Sequence, residues 1–113
     1  MVKQVFHSKV DIKKIRRFIQ LLERRGVRVL RVILFGSYAQ GKADRDSDID
    51  LAIISNRFGK NKMQEMMLLR RIALQVDSHI EPMPFSPEDL EDHYSTFIQE
   101  IKRYGKVIKG IFH

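Results

Sequence analysis

The chain has 113 residues, a formal net charge of +7 and no cysteine. A chain of this length builds one hydrophobic core, so we expect a single domain over residues 1–113. Without cysteine, a disulfide framework and a thiolate zinc site are excluded. No apolar run approaches the roughly 20 residues of a membrane span, and nothing resembles a signal peptide. We therefore expect a cytoplasmic protein that has no membrane partner.

The charge is distributed unevenly along the chain. Residues 1–31 contain ten Lys and Arg and two acidic residues, whereas residues 77–92 contain six acidic residues and no Lys or Arg. A basic surface attracts nucleic acid, nucleotides or an acidic partner protein. Arg16, Arg17, Arg24 and Arg25 also fall where an amphipathic helix is polar, so a solvated helix face is the alternative. The sequence leaves both interpretations open.

The first half of the chain predicts one helix and two strands. Ser8 and Asp11 are suited to cap a helix that ends just before Gly26. Its core face recurs at helical spacing and comprises Ile12, Ile15, Ile19 and Leu22. The β-branched and apolar runs Val29–Phe35 and Ile49–Ile54 are each followed by turn residues and predict buried strands.

The second half predicts two helices around a short strand. A helix from about Lys62 packs an apolar face that comprises Leu68, Leu69, Ile72, Ala73 and Val76. The extended segment 79–85 contains two prolines, which indicate a sheet edge or the end of a strand. Ser86 caps a final helix that runs to near Gly105. The apolar face of that helix comprises Leu90, Tyr94, Phe97, Ile98 and Ile101.

Two further features of this half carry expectations. Met63, Met66 and Met67 are expected to pack within the helix rather than to form a binding surface. The apolar tail, residues 107–112, has no predicted form. The alternation of helices and strands along the chain predicts an α+β (α/β) fold.

The segment GSYAQGKADRDSDIDL, residues 36–51, approaches two familiar motifs without completing either. A P-loop needs Ser or Thr after its lysine to bind magnesium, and Ala43 stands there. A calcium loop starting at Asp44 needs glycine where Ile49 stands and a closing carboxylate where Ser55 stands. Both interpretations are rejected.

A pair of aspartates in this segment indicates a metal site. Asp48 and Asp50 are two residues apart at the start of a predicted strand, so their carboxylates project to one face. Two neighbouring carboxylates repel each other and raise each other's pKa unless a cation lies between them. A hard divalent ion such as Mg²⁺ resolves this conflict.

A phosphate-binding turn precedes the aspartates. Gly36 follows the first predicted strand and lets the backbone approach a ligand closely. Ser37 and the amides of a short helical turn are suited to hold phosphate oxygens. A phosphate cradle beside a metal-binding carboxylate pair indicates a nucleoside triphosphate site. A tight turn followed by two surface aspartates is the alternative interpretation.

The same residues resemble the signature of the DNA polymerase β-like nucleotidyltransferases. The signature is Gly36 and Ser37, ten intervening residues, then Asp48-Ile49-Asp50. The short chain resembles the minimal, antitoxin-type members of this superfamily. The order of predicted elements matches over about 100 residues. The resemblance implies a small mixed β-sheet flanked by helices, as in the polymerase β palm.

The resemblance also implies which residues form the site. Asp48 and Asp50 are joined by a third carboxylate on the next strand, for which Glu81 is the candidate although aspartate is more common there. Asp77 is a weaker substitute. These carboxylates would hold two Mg²⁺ ions, with Mn²⁺ able to substitute. Lys42 and Arg45 belong to the connecting loop and are interpreted mainly as solvated residues, with Lys42 or Arg45 as a candidate contact to the triphosphate. Ser47 is expected to orient the Asp48 carboxylate by hydrogen bonding.

The function implied by the resemblance is transfer of AMP from ATP to a protein hydroxyl. The typical acceptor is a tyrosine on a cognate HEPN-domain toxin, which would make this chain an antitoxin. The alternatives are a nucleotidyltransferase of RNA or of a small molecule with a partner subunit, and a non-catalytic nucleotide-binding subunit. Nucleic acid is thus a less favoured partner, and homo- or hetero-oligomerisation is left open.

Overall fold

A computed structural model describes residues 10–108 as a four-stranded mixed sheet covered by helices. The elements are α1 (Ile12–Arg24), β1 (Arg31–Phe35), α2 (Gly36–Ala39), β2 (Ile49–Ile54), α3 (Lys62–Ala73), β3 (Ile80–Phe85), a 3₁₀ turn (Glu88–Glu91), α4 (Thr96–Tyr104) and β4 (Lys106–Val107). The strand order is β3-β2-β1-β4, with β1 antiparallel to β2 and β4, and β2 parallel to β3. The predicted α+β class with a small mixed sheet is confirmed.

The two faces of the sheet bury different sets of side chains, because successive strand residues point to opposite sides. One face packs against α1 and α3; its cluster includes Phe18, Leu22, Leu34, Leu51, Ile53, Leu69 and Ile80. The opposite face packs against α4; its cluster includes Ile33, Ala52, Ile54, Phe85, Ile98 and Ile101. Asp50 lies on β2 in alternation with Ala52 and Ile54, so its side chain is on the α4 face.

The first helix forms as predicted. The Asp11 carboxylate accepts hydrogen bonds from the Lys13 and Lys14 amides and caps α1. The other suggested cap, Ser8, lies outside the described residues. Strand β1 begins at Arg31 rather than at Val29, although the Leu30 amide already donates to the Ile54 carbonyl. Among residues 10–108, no helix is long and apolar enough to cross a membrane.

Strand β3 lies at the edge of the sheet, as its prolines predict. The His79 and Phe85 carbonyls accept hydrogen bonds from β2 and from the residue after it. Pro82 and Pro84 occupy the alternate positions, whose backbone nitrogens point away from β2. The missing N–H groups therefore remove no hydrogen bond from the ladder.

The prediction of one continuous helix from Ser86 to Gly105 is wrong. A 3₁₀ turn follows Ser86, the backbone becomes extended at Asp92, and α4 begins only at Thr96. The interruption has a local cause, because Ser95 is a second N-cap and its hydroxyl accepts a hydrogen bond from the Ile98 amide. Tyr94, expected on the apolar face, is 96% exposed. Of the apolar tail, Val107 belongs to β4 and the Ile108 amide donates a hydrogen bond to the Val32 carbonyl of β1. The remainder lies outside the described residues.

Candidate active site

The sheet aligns two of the predicted carboxylates. Asp50 on β2 and Glu81 on β3 are paired in the parallel register, and Phe35 is the partner of Asp50 on β1. Asp48 is exposed and immediately precedes β2. We call Asp48, Asp50 and Glu81 the carboxylate row.

The electrostatics of the row favour a cation. Burial, together with the negative charges of Asp48 and Glu81, raises the pKa of the Asp50 carboxyl to about 6. The surroundings of Asp50 therefore disfavour its ionised form, which still predominates at neutral pH. A divalent ion bound to carboxylate oxygens would remove that penalty, and such oxygens are the ligands that Mg²⁺ takes in proteins.

The turn that contains Gly36 lies directly against Asp50. Gly36 has a φ of +70°, and a β carbon built on it would lie 2.1 Å from Asp50 Oδ2. Such a separation is far below van der Waals contact, so only glycine fits at this position. The backbone of the turn and the Asp50 carboxylate are consequently held side by side.

Ser37 and Lys42 lie in the same turn. Ser37 is half-buried in α2, and its carbonyl accepts a hydrogen bond of 2.9 Å from the Lys42 amide. This bond closes the loop so that both residues lie near Gly36. The Lys42 side chain is exposed and extends from the end of the turn. The two side chains suit a ligand that carries phosphate groups.

Ser47 does not make the hydrogen bond that was expected of it. Its hydroxyl accepts from the Asp44 amide at 2.9 Å and donates to Asp44 Oδ1 at 3.3 Å. The same carboxylate accepts from the Asp46 amide at 2.9 Å. Ser47 therefore fixes the loop between α2 and β2 rather than the Asp48 carboxylate, because the tight Asp44 turn turns its hydroxyl inward.

Glu81 forms an ion pair with an arginine that no sequence pattern indicated. Arg70 Nη1 of α3 donates to Glu81 Oε1 in an ion pair. Within the part of the chain that the structure describes, no three acidic or histidine side chains are arranged so that they could hold a metal ion together. The structure thus brings Glu81 into register with Asp50, where Glu81 forms an ion pair with Arg70.

Asp77, the substitute for Glu81, has a structural role on the other side of the sheet. Its carboxylate forms an ion pair with Lys14 of α1 and accepts hydrogen bonds from the His79 amide and the His79 ring. The hydrogen bond from Lys14, followed by those from His79, lowers the pKa of Asp77 well below its usual range. These contacts join α1 to the end of α3 and leave the carboxylate row without Asp77.

A groove of about 800 Å³ borders the carboxylate row and was missed in the sequence. Asp50 and Glu81 line it together with side chains of α3, β3 and α4. The expectation that the methionines pack inside the protein is wrong, since Met63, Met66 and Met67 are 73%, 41% and 57% exposed. The sequence does contain a pattern that indicates this exposed surface. Beside the buried stripe of α3 lies a second apolar stripe, which comprises Met66, Met67 and Leu74.

Comparison with known proteins places this fold and site in a family. The Nucleotidyltransferase domain family matches residues 12–109. The chain belongs to this family and is a nucleotidyltransferase, as the resemblance of its signature predicts.

Three curated relatives narrow the comparison. Two proteins of Methanocaldococcus jannaschii, named as candidate protein adenylyltransferases, are each 35% identical to this chain. The alignments cover 66% of this chain and 74% of the first relative, and 84% of this chain and 83% of the second. The protein adenylyltransferase MntA of Shewanella oneidensis is 29% identical over 83% of this chain, which spans 63% of that protein.

Solved structures give the same fold. A toxin–antitoxin crystal structure with AMP-PNP has a TM-score of 0.62 and 27% identity, covering 89% of this chain and 74% of that one. A candidate nucleotidyltransferase from Sulfolobus solfataricus has a TM-score of 0.60 over 80% of this chain and 81% of its own. At 17% identity, the second comparison concerns the fold alone.

Proposed function

We propose that this chain transfers AMP from ATP to a hydroxyl of a partner toxin and so acts as an antitoxin. The observation that carries the proposal is the alignment of Asp50 with Glu81 beside the Gly36 turn. The relatives named as protein adenylyltransferases and the similar toxin–antitoxin structure with AMP-PNP support AMP as the transferred group and a toxin as the acceptor. The resemblance of the signature adds that the toxin is of the HEPN type and that the acceptor is a tyrosine.

The residues of the carboxylate row and the turn have distinct roles in this proposal. Asp48 and Asp50 would hold Mg²⁺, and Glu81 would be the third carboxylate ligand. Bound magnesium supplies charge neutralisation of the triphosphate and lowers the pKa of the acceptor hydroxyl. Gly36 admits the triphosphate to close backbone contact, while Ser37 and Lys42 hold its oxygens.

The proposed reaction is an in-line substitution at the α-phosphorus of ATP. The acceptor oxygen forms a bond to the α-phosphorus, and the bond between that phosphorus and the oxygen bridging to the β-phosphate breaks. Pyrophosphate leaves with the bonding electrons, and the acceptor proton passes to Glu81 and then to solvent. The chain contributes positioning and electrostatic stabilisation rather than a covalent intermediate.

Mass spectrometry of the partner tests the proposal. The candidate partner is the protein encoded next to this chain, incubated with the chain, Mg²⁺ and each nucleoside triphosphate in turn. We expect the partner to gain the mass of one AMP on a tyrosine, with ATP only and not with excess EDTA. The matched control is Asp50→Asn, which should give no product. An unmodified partner, or modification that persists in Asp50→Asn, would refute the proposal.

A further inference from the structure

The groove beside the carboxylate row is apolar, open and walled by two helices. Met66 and Met67 of α3 form one wall and Phe97 of α4 forms the other. The Phe97 ring packs edge-on against Phe35, with 5.6 Å between the ring centroids, so this wall is fixed against the sheet. Methionine side chains adapt their shape to a partner. A contiguous exposed apolar surface of this kind is typical of a binding site.

The position of the groove relates it to the acceptor rather than to the triphosphate. Gly36 lies at the end of β1, on one side of Asp50, and Glu81 lies on β3, on the other side. In an in-line displacement the attacking oxygen and the leaving group are on opposite sides of the phosphorus. Since the turn at Gly36 holds the leaving pyrophosphate in the proposed function, the acceptor approaches from the Glu81 side, where the groove lies.

The charges on the groove define the partner further. Arg70 is already paired with Glu81. Arg71 also lines the groove and is exposed. It takes part in none of the ion pairs found among residues 10–108. An acidic side chain beside an apolar segment complements this arrangement.

We propose that this groove docks a segment of the acceptor protein that is apolar and carries an acidic residue next to the acceptor hydroxyl. The inference rests on the proposed function and adds to it the surface of this chain that selects the partner. Met67 supplies apolar contact, and Arg71 supplies the matching charge. The nucleotide base and a second copy of this chain are the competing occupants.

Two exposed methionines of α3 provide a matched test. Met67 lines the groove, whereas Met63 is one turn away and does not line it. We expect Met67→Glu to weaken calorimetric binding of the neighbouring gene's protein product about tenfold or more, because it replaces an apolar contact with a charge that must lose its water on binding, and because Glu at position 67 also competes for Arg71, four residues on. Met63→Glu should change it less than about twofold, as expected for a surface substitution. Equal effects of the two substitutions would overturn the proposal.

Arg71 provides the charge test, with Arg24 of α1 as the control on a different surface. Arg71→Glu should weaken partner binding about fivefold to tenfold and reduce its salt dependence, while Arg24→Glu leaves both unchanged. Binding by Arg71→Glu as tight as that of the parent would contradict the proposed acidic partner segment.

Kinetic and hydrodynamic measurements separate the competing occupants. The proposal predicts that Met67→Glu raises the KM for the partner and leaves the KM for ATP unchanged. A raised KM for ATP would assign the groove to the nucleotide base, and loss of a homodimer on substitution would assign it to a second copy. Either result overturns the proposal. If the parent binds the partner through Met67 and transfers no AMP, the proposed function fails and the docking site stands. If Met67→Glu transfers AMP with the parental KM for the partner, the docking site fails and the proposed function stands.

Discussion

A β carbon on Gly36 would lie 2.1 Å from Asp50 Oδ2, so the turn after β1 and the carboxylate on β2 fit together only while residue 36 is glycine. This contact joins the proposed phosphate cradle to the proposed metal ligand. The local geometry of the site therefore depends on the absence of a β carbon at residue 36.

The first prediction compares two glycines. Gly36 and Gly41 have nearly the same φ, +70° and +72°, but a β carbon at Gly41 would meet nothing within 4 Å. Gly41→Ala should cost only the backbone strain, about 1–2 kcal/mol. Gly36→Ala adds the clash with Asp50 and should also abolish binding of Mg²⁺-ATP. Thermal unfolding and ATP titration check this, and ATP binding that is equal in the two variants would contradict it.

The second prediction concerns pH and Asp50. Its pKa of about 6 lies above the ordinary value of 3.8, so the folded, metal-free protein binds this proton more tightly than the unfolded chain. The contribution of Asp50 to the free energy of unfolding therefore falls as pH rises from about 4 to about 6, and it levels off above that range. Asp50→Asn should remove this contribution and make the metal-free protein more stable at pH 7. Chemical unfolding across pH measures it, with Asp46→Asn as the control.

The third prediction concerns Glu81. Glu81→Gln should leave ATP binding nearly unchanged, because in the proposed function Gly36, Ser37 and the Asp48–Asp50 pair hold the triphosphate. Transfer should fall on the order of 100-fold, since a metal ligand contributes several kcal/mol in the transition state. Glu81→Asp tests whether the strand position tolerates a shorter side chain. Single-turnover rates check the effect, and a parental rate in Glu81→Gln would remove Glu81 from the site.

The fourth prediction separates stability from activity at Asp77. Asp77→Asn removes the ion pair with Lys14. Because the Lys14 side chain is partly exposed, the substitution should lower the free energy of unfolding by about 1 kcal/mol. Because the folded pKa of Asp77 is lowered, this stabilisation is present above about pH 4 and is lost as pH falls further. Transfer at neutral pH should be unchanged. A variant that folds normally and has lost transfer would show that Asp77 belongs to the site.

The sequence predicted the parts of the site that depend on local spacing. Asp48 and Asp50 share a strand face through the two-residue period, and Gly36 directly follows a strand. The register of Glu81 against Asp50 depends on parallel pairing between strands distant in the chain, and it was reached only through the family resemblance. The Arg70–Glu81 pair and the methionine groove depend on how α3 is rotated over the sheet edge. The break before α4 was missed because Ser86 and Ser95 both carry cap chemistry, and the first was taken as the start of the helix.

The most direct test of the central claim follows the position of the label in ATP. The partner is incubated with this chain, Mg²⁺ and ATP labelled either at the α-phosphate or at the γ-phosphate. Transfer of AMP predicts label on the partner from the α position only, and none when Asp50→Asn replaces the parent. Label from the γ position, or no label from either position on a partner that binds the chain, would contradict the claim that this chain is an adenylyltransferase.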